Sequence, residues 1–243
     1  MSRRIDDLQY KGLKIIQDSE GFCFGVDAVL LANMAKTAIS KKTIDLCSGN
    51  GIVALLLAGK TQTEKIYALE LQQKAASLAK ESVELNNLSE RVNVICDDLK
   101  NVRNIFERAE FDVVTCNPPY MKNTCGITND NDALRLSRHE IACTLEDVID
   151  AAAYLLKPGG KLFMVHRPER LVDIFCSMRE RKIEPKYMQM VHPNASKKPN
   201  IVLVEGTYMG GRELKMLEPI YVYDENGKYT KQIDSIYERG CDI

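Results

Sequence analysis

The chain has 243 residues, with 33 Lys+Arg against 34 Asp+Glu and a formal charge of −1. That length suits one large domain with a substantial core. The balanced charge excludes nucleic-acid binding driven by a whole-molecule field and leaves only local patches for that purpose. Eight cysteines (23, 47, 96, 116, 125, 143, 176 and 241) form no Cys-x-x-Cys pair and read as reduced thiols, and no metal is assigned. The amino terminus lacks an apolar signal core, and the longest greasy run, Val53 to Ala58, is far too short to span a bilayer. The expectation is a soluble cytoplasmic protein with no membrane association.

Residues 1–42 read as an amino-terminal helical segment. Its apolar positions from Val26 onward suit a helix packed on a sheet, with Asp27 placed to cap that helix. From Thr43 onward, β-branched runs alternate with amphipathic stretches, the pattern of right-handed βαβ units. The predicted strands are Thr43 to Cys47, Lys65 to Glu70, Val92 to Cys96, Phe111 to Cys116, Lys161 to Val165, Lys186 to Val191 and Ile201 to Tyr208. The fold class is therefore α/β, a doubly wound, seven-stranded, mostly parallel sheet.

Helices are predicted over Gly51 to Ala58, Gln72 to Asn87, Thr144 to Leu156 and Arg170 to Arg181, with Thr144 as an N-cap. Lys157-Pro158-Gly159-Gly160 reads as the turn after the third of these. The long polar loop is Met121 to Glu140. Residues 43–210 form the main domain. Residues 211–243 form an extension with a short hairpin at Asn226-Gly227 and then a tail.

Chemistry concentrates at successive strand ends. Asp45-Leu46-Cys47-Ser48-Gly49-Asn50-Gly51 places two glycines at a strand-to-helix junction, where a ligand approaches the backbone closely. Glu70 ends the second strand 19 residues after Gly51, where a carboxylate accepts both hydroxyls of a ribose. Asp97-Asp98-Leu99 at the third strand end offers a carboxylate to an adenine amine, Asp98 first and Asp97 second, and the Leu99 N–H to a ring nitrogen. After the fourth strand comes Asn117-Pro118-Pro119-Tyr120. Its Asn and first Pro carbonyls accept N–H bonds, its prolines remove competing donors, and Tyr120 offers a stacking face. Taken alone, the tetrapeptide also reads as a proline turn closing a buried strand.

This tetrapeptide resembles the catalytic motif of amino-methyltransferases that use S-adenosyl-L-methionine and act on adenine, guanine or protein glutamine. With Phe22 to Ala32 included, residues from about Phe22 to Tyr208 resemble the bacterial tRNA adenine-N6 methyltransferases that modify adenosine 37 of a valine tRNA. The resemblance implies a class I, Rossmann-like methyltransferase fold. Asn117, Pro118 and Tyr120 then do the catalysis by direct in-line transfer. Asp45, Cys47, Gly49, Gly51, Glu70, Leu71, Asp98, Leu99 and Asn117 hold the cofactor, with Asp45 near its ammonium. Phe24 and Asp27 become lid residues by the same resemblance.

For a tRNA partner, the stretch from Lys161 to Asn200 carries nine Lys/Arg against four Asp/Glu, and its exposed Lys197-Lys198 loop is the expected phosphate contact. His139, in Arg138-His139-Glu140, is a further substrate contact. The alternatives are a release-factor glutamine N5-methyltransferase, disfavoured because only about forty residues precede the first strand, an rRNA guanine-N2 methyltransferase, and a cofactor-binding scaffold without activity. The sequence names neither the tRNA nor the oligomeric state.

Overall fold

A computed structural model describes residues 3–18, 25–119 and 143–238. The chain begins with β1 (Arg3–Asp7) and β2 (Lys14–Asp18), an antiparallel hairpin, where the sequence suggests helix. Helix α1 (Val26–Ala35) follows. The central layer then alternates β3 (Lys42–Leu46), α2 (Ile52–Lys60), β4 (Lys65–Glu70), α3 (Gln73–Leu85), β5 (Val92–Cys96), the short α4 (Val102–Ile105) and β6 (Phe111–Cys116). The remaining elements are α5 (Leu145–Leu155), β7 (Leu156–His166), α6 (Leu171–Glu180), β8 (Ile183–His192), β9 (Ile201–Tyr208), β10 (Lys215–Met216), β11 (Ile220–Tyr221) and α7 (Lys231–Ile236).

The main sheet runs β10-β8-β9-β7-β6-β3-β4-β5, with β11 also paired to β8. The seven expected strands are all present, and two strands of two residues each add to the β8 edge. Strands β3 to β7 pair in parallel, whereas β9 runs antiparallel to both β7 and β8. The carboxyl ends of β3 to β7 therefore lie along one edge. Because His166 pairs with Val202 and Val191 with Ile201, the loop between β8 and β9 emerges at that same edge.

Two apolar cores cover the two faces, as the buried runs of a parallel sheet require. On one face α1 and α2 pack with Val113, Phe163 and Leu203, and α7 joins through Ile233 and Ile236. On the other, α5 and α6 pack with Ile44, Val114 and Leu162. Helix α2 is apolar on all sides because it is enclosed by α1 and the sheet, with Ile52 to Ala58 all buried. Among the described residues no helix is long and apolar enough to cross a membrane.

Two further differences from the sequence expectations have local causes. Lys157 to Gly160 does not leave the sheet as a turn. It bulges within β7, between the pairs Phe111–Leu156 and Val113–Lys161, and Gly159 takes the left-handed φ of 81° that the bulge needs. The carboxyl-terminal segment makes the expected reversal, with Gly227 at φ 74° and Tyr223 bridged to Tyr229, but then forms α7 instead of a tail. Thr230 caps that helix by accepting from the Ile233 N–H. Thr144 caps α5 as expected, and the structure adds a reciprocal capping box with Asp147.

Candidate active site

The glycine loop between β3 and α2 is built by left-handed backbone at Cys47 (φ 55°), Gly49 (57°) and Gly51 (84°). A side chain at Gly51 would place Cβ 3.0 Å from the Ala79 Cβ of α3, so close helix packing requires glycine there. At Gly49 a Cβ would meet nothing within 4 Å, leaving open space over the backbone. Glu70, at the end of β4 and buried, holds the loop. Its Oε2 accepts the Gly49 N–H at 2.8 Å and its Oε1 accepts the Gln72 N–H at 2.8 Å. Each carboxylate oxygen keeps a lone pair for a ligand hydroxyl. The side chain of Leu71, beside it, is 47% exposed, an apolar surface at the mouth of the crevice.

Asp45 sits beneath the loop with 1% of its surface exposed. Thr115 Oγ1, on the neighbouring β6, donates to Asp45 Oδ1 at 2.7 Å, while Oδ2 is buried without a partner among the described residues. Burial pushes the Asp45 carboxyl up to about 7, and the hydroxyls of Thr115 and Ser48 oppose that rise.

Asp97 and Asp98 follow β5. The Oδ1 of Asp97 accepts from the Asp98 N–H at 2.7 Å and from Asn101 Nδ2 at 3.2 Å, whereas Asp98 Oδ1 accepts from the Lys100 N–H at 2.9 Å and opens the turn over Leu99–Asn101. Leu99 itself is buried. Asn117 and Pro119 are half-buried and Pro118 buried directly after β6, at the edge shared with Asp45, Glu70 and Asp98. Phe24, Tyr120 and His139 lie outside the described residues. Asp27 is buried in the first turn of α1, but Gly25 is the N-cap. Asp27 Oδ1 accepts the N–H of Ala28 and does not cap the helix from its start.

Lys197 and Lys198 are exposed in the loop between β8 and β9, and so reach the same edge by a different route. The five described cysteines are free thiols. Cys47 Sγ lies 3.9 Å from Cys143 Sγ, and neighbouring thiols together with burial raise both of their pKa values, so neither is an activated nucleophile.

Three site-edge residues escape sequence reasoning. Gln17, at the end of β2, accepts from Asn50 Nδ2 of the glycine loop at 3.2 Å, so the hairpin braces the cofactor-side loop. Thr115 orients Asp45. His166 ends β7, the strand beside β6, and is buried. Its Nδ1 accepts the Arg167 N–H at 2.8 Å, and burial holds its pKa down at about 4, so it is neutral. The available signal for His166 is a histidine closing an apolar strand.

A mostly parallel sheet with one reversed strand, β9, and with a glycine loop, a buried acid and Asn-Pro-Pro at its strand ends, is the arrangement of a class I methyltransferase. Comparison with known proteins gives the same class. The model of the methyltransferase small domain matches residues 24–179. A tRNA1(Val) (adenine(37)-N6)-methyltransferase of Tolumonas auensis is 30% identical over 204 residues, covering 80% of each chain. One of Bacteroides fragilis is 26% identical over 234 residues, covering 94% of this chain and 96% of its own. In structure, the chain is similar to an Agrobacterium tumefaciens protein described as a predicted O-methyltransferase, with TM-score 0.72, 21% identity and coverage of 88% and 96%. The chain belongs to the methyltransferase small domain family, and it is a methyltransferase.

Proposed function

We propose that this methyltransferase uses S-adenosyl-L-methionine to methylate the N6 amine of an adenine in a tRNA anticodon loop, as a cytoplasmic enzyme. The observation that carries the cofactor reading is the buried carboxyl of Asp45, held by Thr115 at one oxygen, next to a loop open at Gly49. A zwitterionic methionine moiety brings an ammonium to that carboxylate, the free lone pairs of Glu70 take the ribose hydroxyls, and Asp98 with the Leu99 N–H takes the adenine. Leu71 supplies apolar contact to the base, and the Cys47 and Gly49 backbone lines the approach. When bound, the cofactor supplies a methyl group on a positively charged sulfur.

The chain's own residues do the rest. The Asn117 side-chain carbonyl and the Pro118 main-chain carbonyl accept the two N–H bonds of the amine, which points the nitrogen lone pair at the incoming methyl. Tyr120 stacks the flipped-out base. No base need act first, because the neutral amine would form its bond to the methyl carbon as the carbon–sulfur bond breaks and sulfur leaves as a neutral thioether, and the resulting cation is acidic enough to lose its proton to water.

Acceptance of adenine in RNA is supported by the relatives' substrate, by the exposed Lys197 and Lys198 at the site edge, and by the lower unstacking cost of a loop base compared with a duplex base. Residues 43–210 are the catalytic domain in this reading, flanked by 1–42 and 211–243, with Phe24, Asp27 and His139 as lid and substrate contacts. Asn117→Ala should lower methyl transfer by roughly two orders of magnitude or more, a larger effect than on S-adenosylmethionine affinity measured by calorimetry. A fully active variant would refute the amine-clamp role.

A further inference from the structure

The extension after β9 folds back to the site edge. Tyr221 pairs with His192 as β11 joins β8, the Val222 N–H donates to the His192 carbonyl at 2.9 Å, and the Tyr223 N–H donates to the Pro193 carbonyl at 2.8 Å. These bonds set residues 221–223 alongside the start of the loop of residues 193–200. The rings follow the backbone: His192 and Tyr221 lie 5.1 Å apart, and Tyr223 stacks on Tyr229 at 5.3 Å with 11° between planes. Tyr223 is 41% exposed.

The loop itself is held in shape. His192 Nδ1 contacts the Lys197 carbonyl at 2.9 Å, the Lys197 N–H donates to the Asn194 carbonyl at 3.2 Å, and Arg167 Nη1, just after β7, donates to the Asn200 carbonyl at 2.7 Å. It carries two lysines and no acid, and neither lysine has an ion-pair partner among the described residues. Of the two acids in residues 221–229, Asp224 is turned into its own reversal, accepting the Asn226 and Lys228 N–H groups through Oδ1, and Glu225 is exposed.

We infer that the loop of residues 193–200 and the folded-back segment of residues 221–229 form a composite docking surface for single-stranded RNA flanking the target base. Lys197 and Lys198 contact phosphates, and the Tyr223 ring, backed by Tyr229, stacks one unpaired base. This inference rests on the RNA reading above and gives the carboxyl-terminal extension a function of its own. Two exposed cations on the site edge, beyond β7 from the amine clamp, suit a backbone that crosses that edge. A stacked tyrosine beside them suits bases more than an acidic peptide, because stacking accepts any base face while phosphates supply the charge. Arg167 acts here as a positioning residue, through the Asn200 carbonyl.

The test measures tRNA affinity by filter binding across a salt series for the full-length wild type, K197A/K198A, Y223A and Y223F, with S-adenosylmethionine affinity and melting temperature as controls. Loss of the two lysines should weaken tRNA binding about tenfold at physiological salt and reduce the slope of log K against log salt by roughly 1.4–1.8. Y223A should lower affinity by about fivefold or more with an unchanged slope, Y223F should keep the wild-type affinity, and S-adenosylmethionine affinity should not move in any variant. A wild type that binds and methylates RNA while K197A/K198A and Y223A match it in affinity and slope overturns the surface alone. A wild type that binds no RNA overturns the substrate reading and the surface together.

Discussion

At Asp45 the fold buries a carboxyl whose Oδ2 has no partner among the described residues, and burial raises its pKa from 3.8 to about 7. The folded form therefore holds a proton that the unfolded chain gives up near pH 4. The stability this proton confers is complete below about pH 4 and is lost as pH rises to about 7, at roughly 1.4 kcal/mol per pKa unit. Asp45→Asn removes this dependence, so in denaturant titrations without cofactor the variant should gain on wild type between pH 5 and pH 8. A constant difference would contradict the assignment. A bound ammonium needs the ionised acid, so wild-type cofactor affinity should rise from pH 6 to pH 8 and that of Asp45→Asn should stay flat and weak. Glu70→Ala should weaken cofactor binding twice over, by removing the hydroxyl acceptor and by freeing the Gly49 and Gln72 N–H groups it now holds. Unchanged affinity by calorimetry would reject that role. These two acids were legible because an acid ending a strand next to a glycine loop has few other tasks. Thr115, which orients Asp45 from a strand seventy positions away, was not, because a threonine inside a buried strand looks like packing.

Among elements, the glycine loop depends on Gly51, whose φ of 84° and 3.0 Å approach to Ala79 leave no room for a side chain. Gly51→Ala should cost about 1–2 kcal/mol from the left-handed backbone alone, and thermal melting should show it together with reduced cofactor affinity. The β1–β2 hairpin depends on α3 in a similar way. Asn86 accepts the Lys14 N–H and donates to the Lys14 carbonyl, and Ser82 Oγ accepts the Ile16 N–H, so side chains from α3 and its C-cap satisfy the edge of β2. Asn86→Ala should destabilise by roughly 1–2 kcal/mol and, by loosening Gln17 from Asn50, weaken cofactor binding. If it destabilises without touching cofactor affinity, the bracing role fails. The hairpin was illegible because strands of five residues carry little alternation, and the side chains that satisfy β2 lie 66 and 72 residues away in sequence. Helix α7 hid likewise, since Ile233 and Ile236 alone cannot set a period. The long alternating stretches from β3 to β9 had no such difficulty.

For the whole molecule, the parallel strands and their crossovers bring residues from distant parts of the chain to one edge, and topology alone unites Asp45, Glu70, Asp98 and Asn117 there. That much could be read from strand order and βαβ handedness. The antiparallel return of β9 was not legible, because an apolar run buried on both faces reads the same in either direction. That return carries Lys197, Lys198 and the extension to the site. With near-neutral net charge, the proposed RNA affinity has to come from a local surface and not from a global field, so binding should fall steeply with salt. The most direct test of adenine methylation in tRNA is to incubate the purified protein with methyl-labelled S-adenosylmethionine, a tRNA pool and a release factor, then digest the RNA to nucleosides. Label should appear in N6-methyladenosine from tRNA and not in protein, and label in the release factor with unlabelled tRNA would contradict adenine methylation.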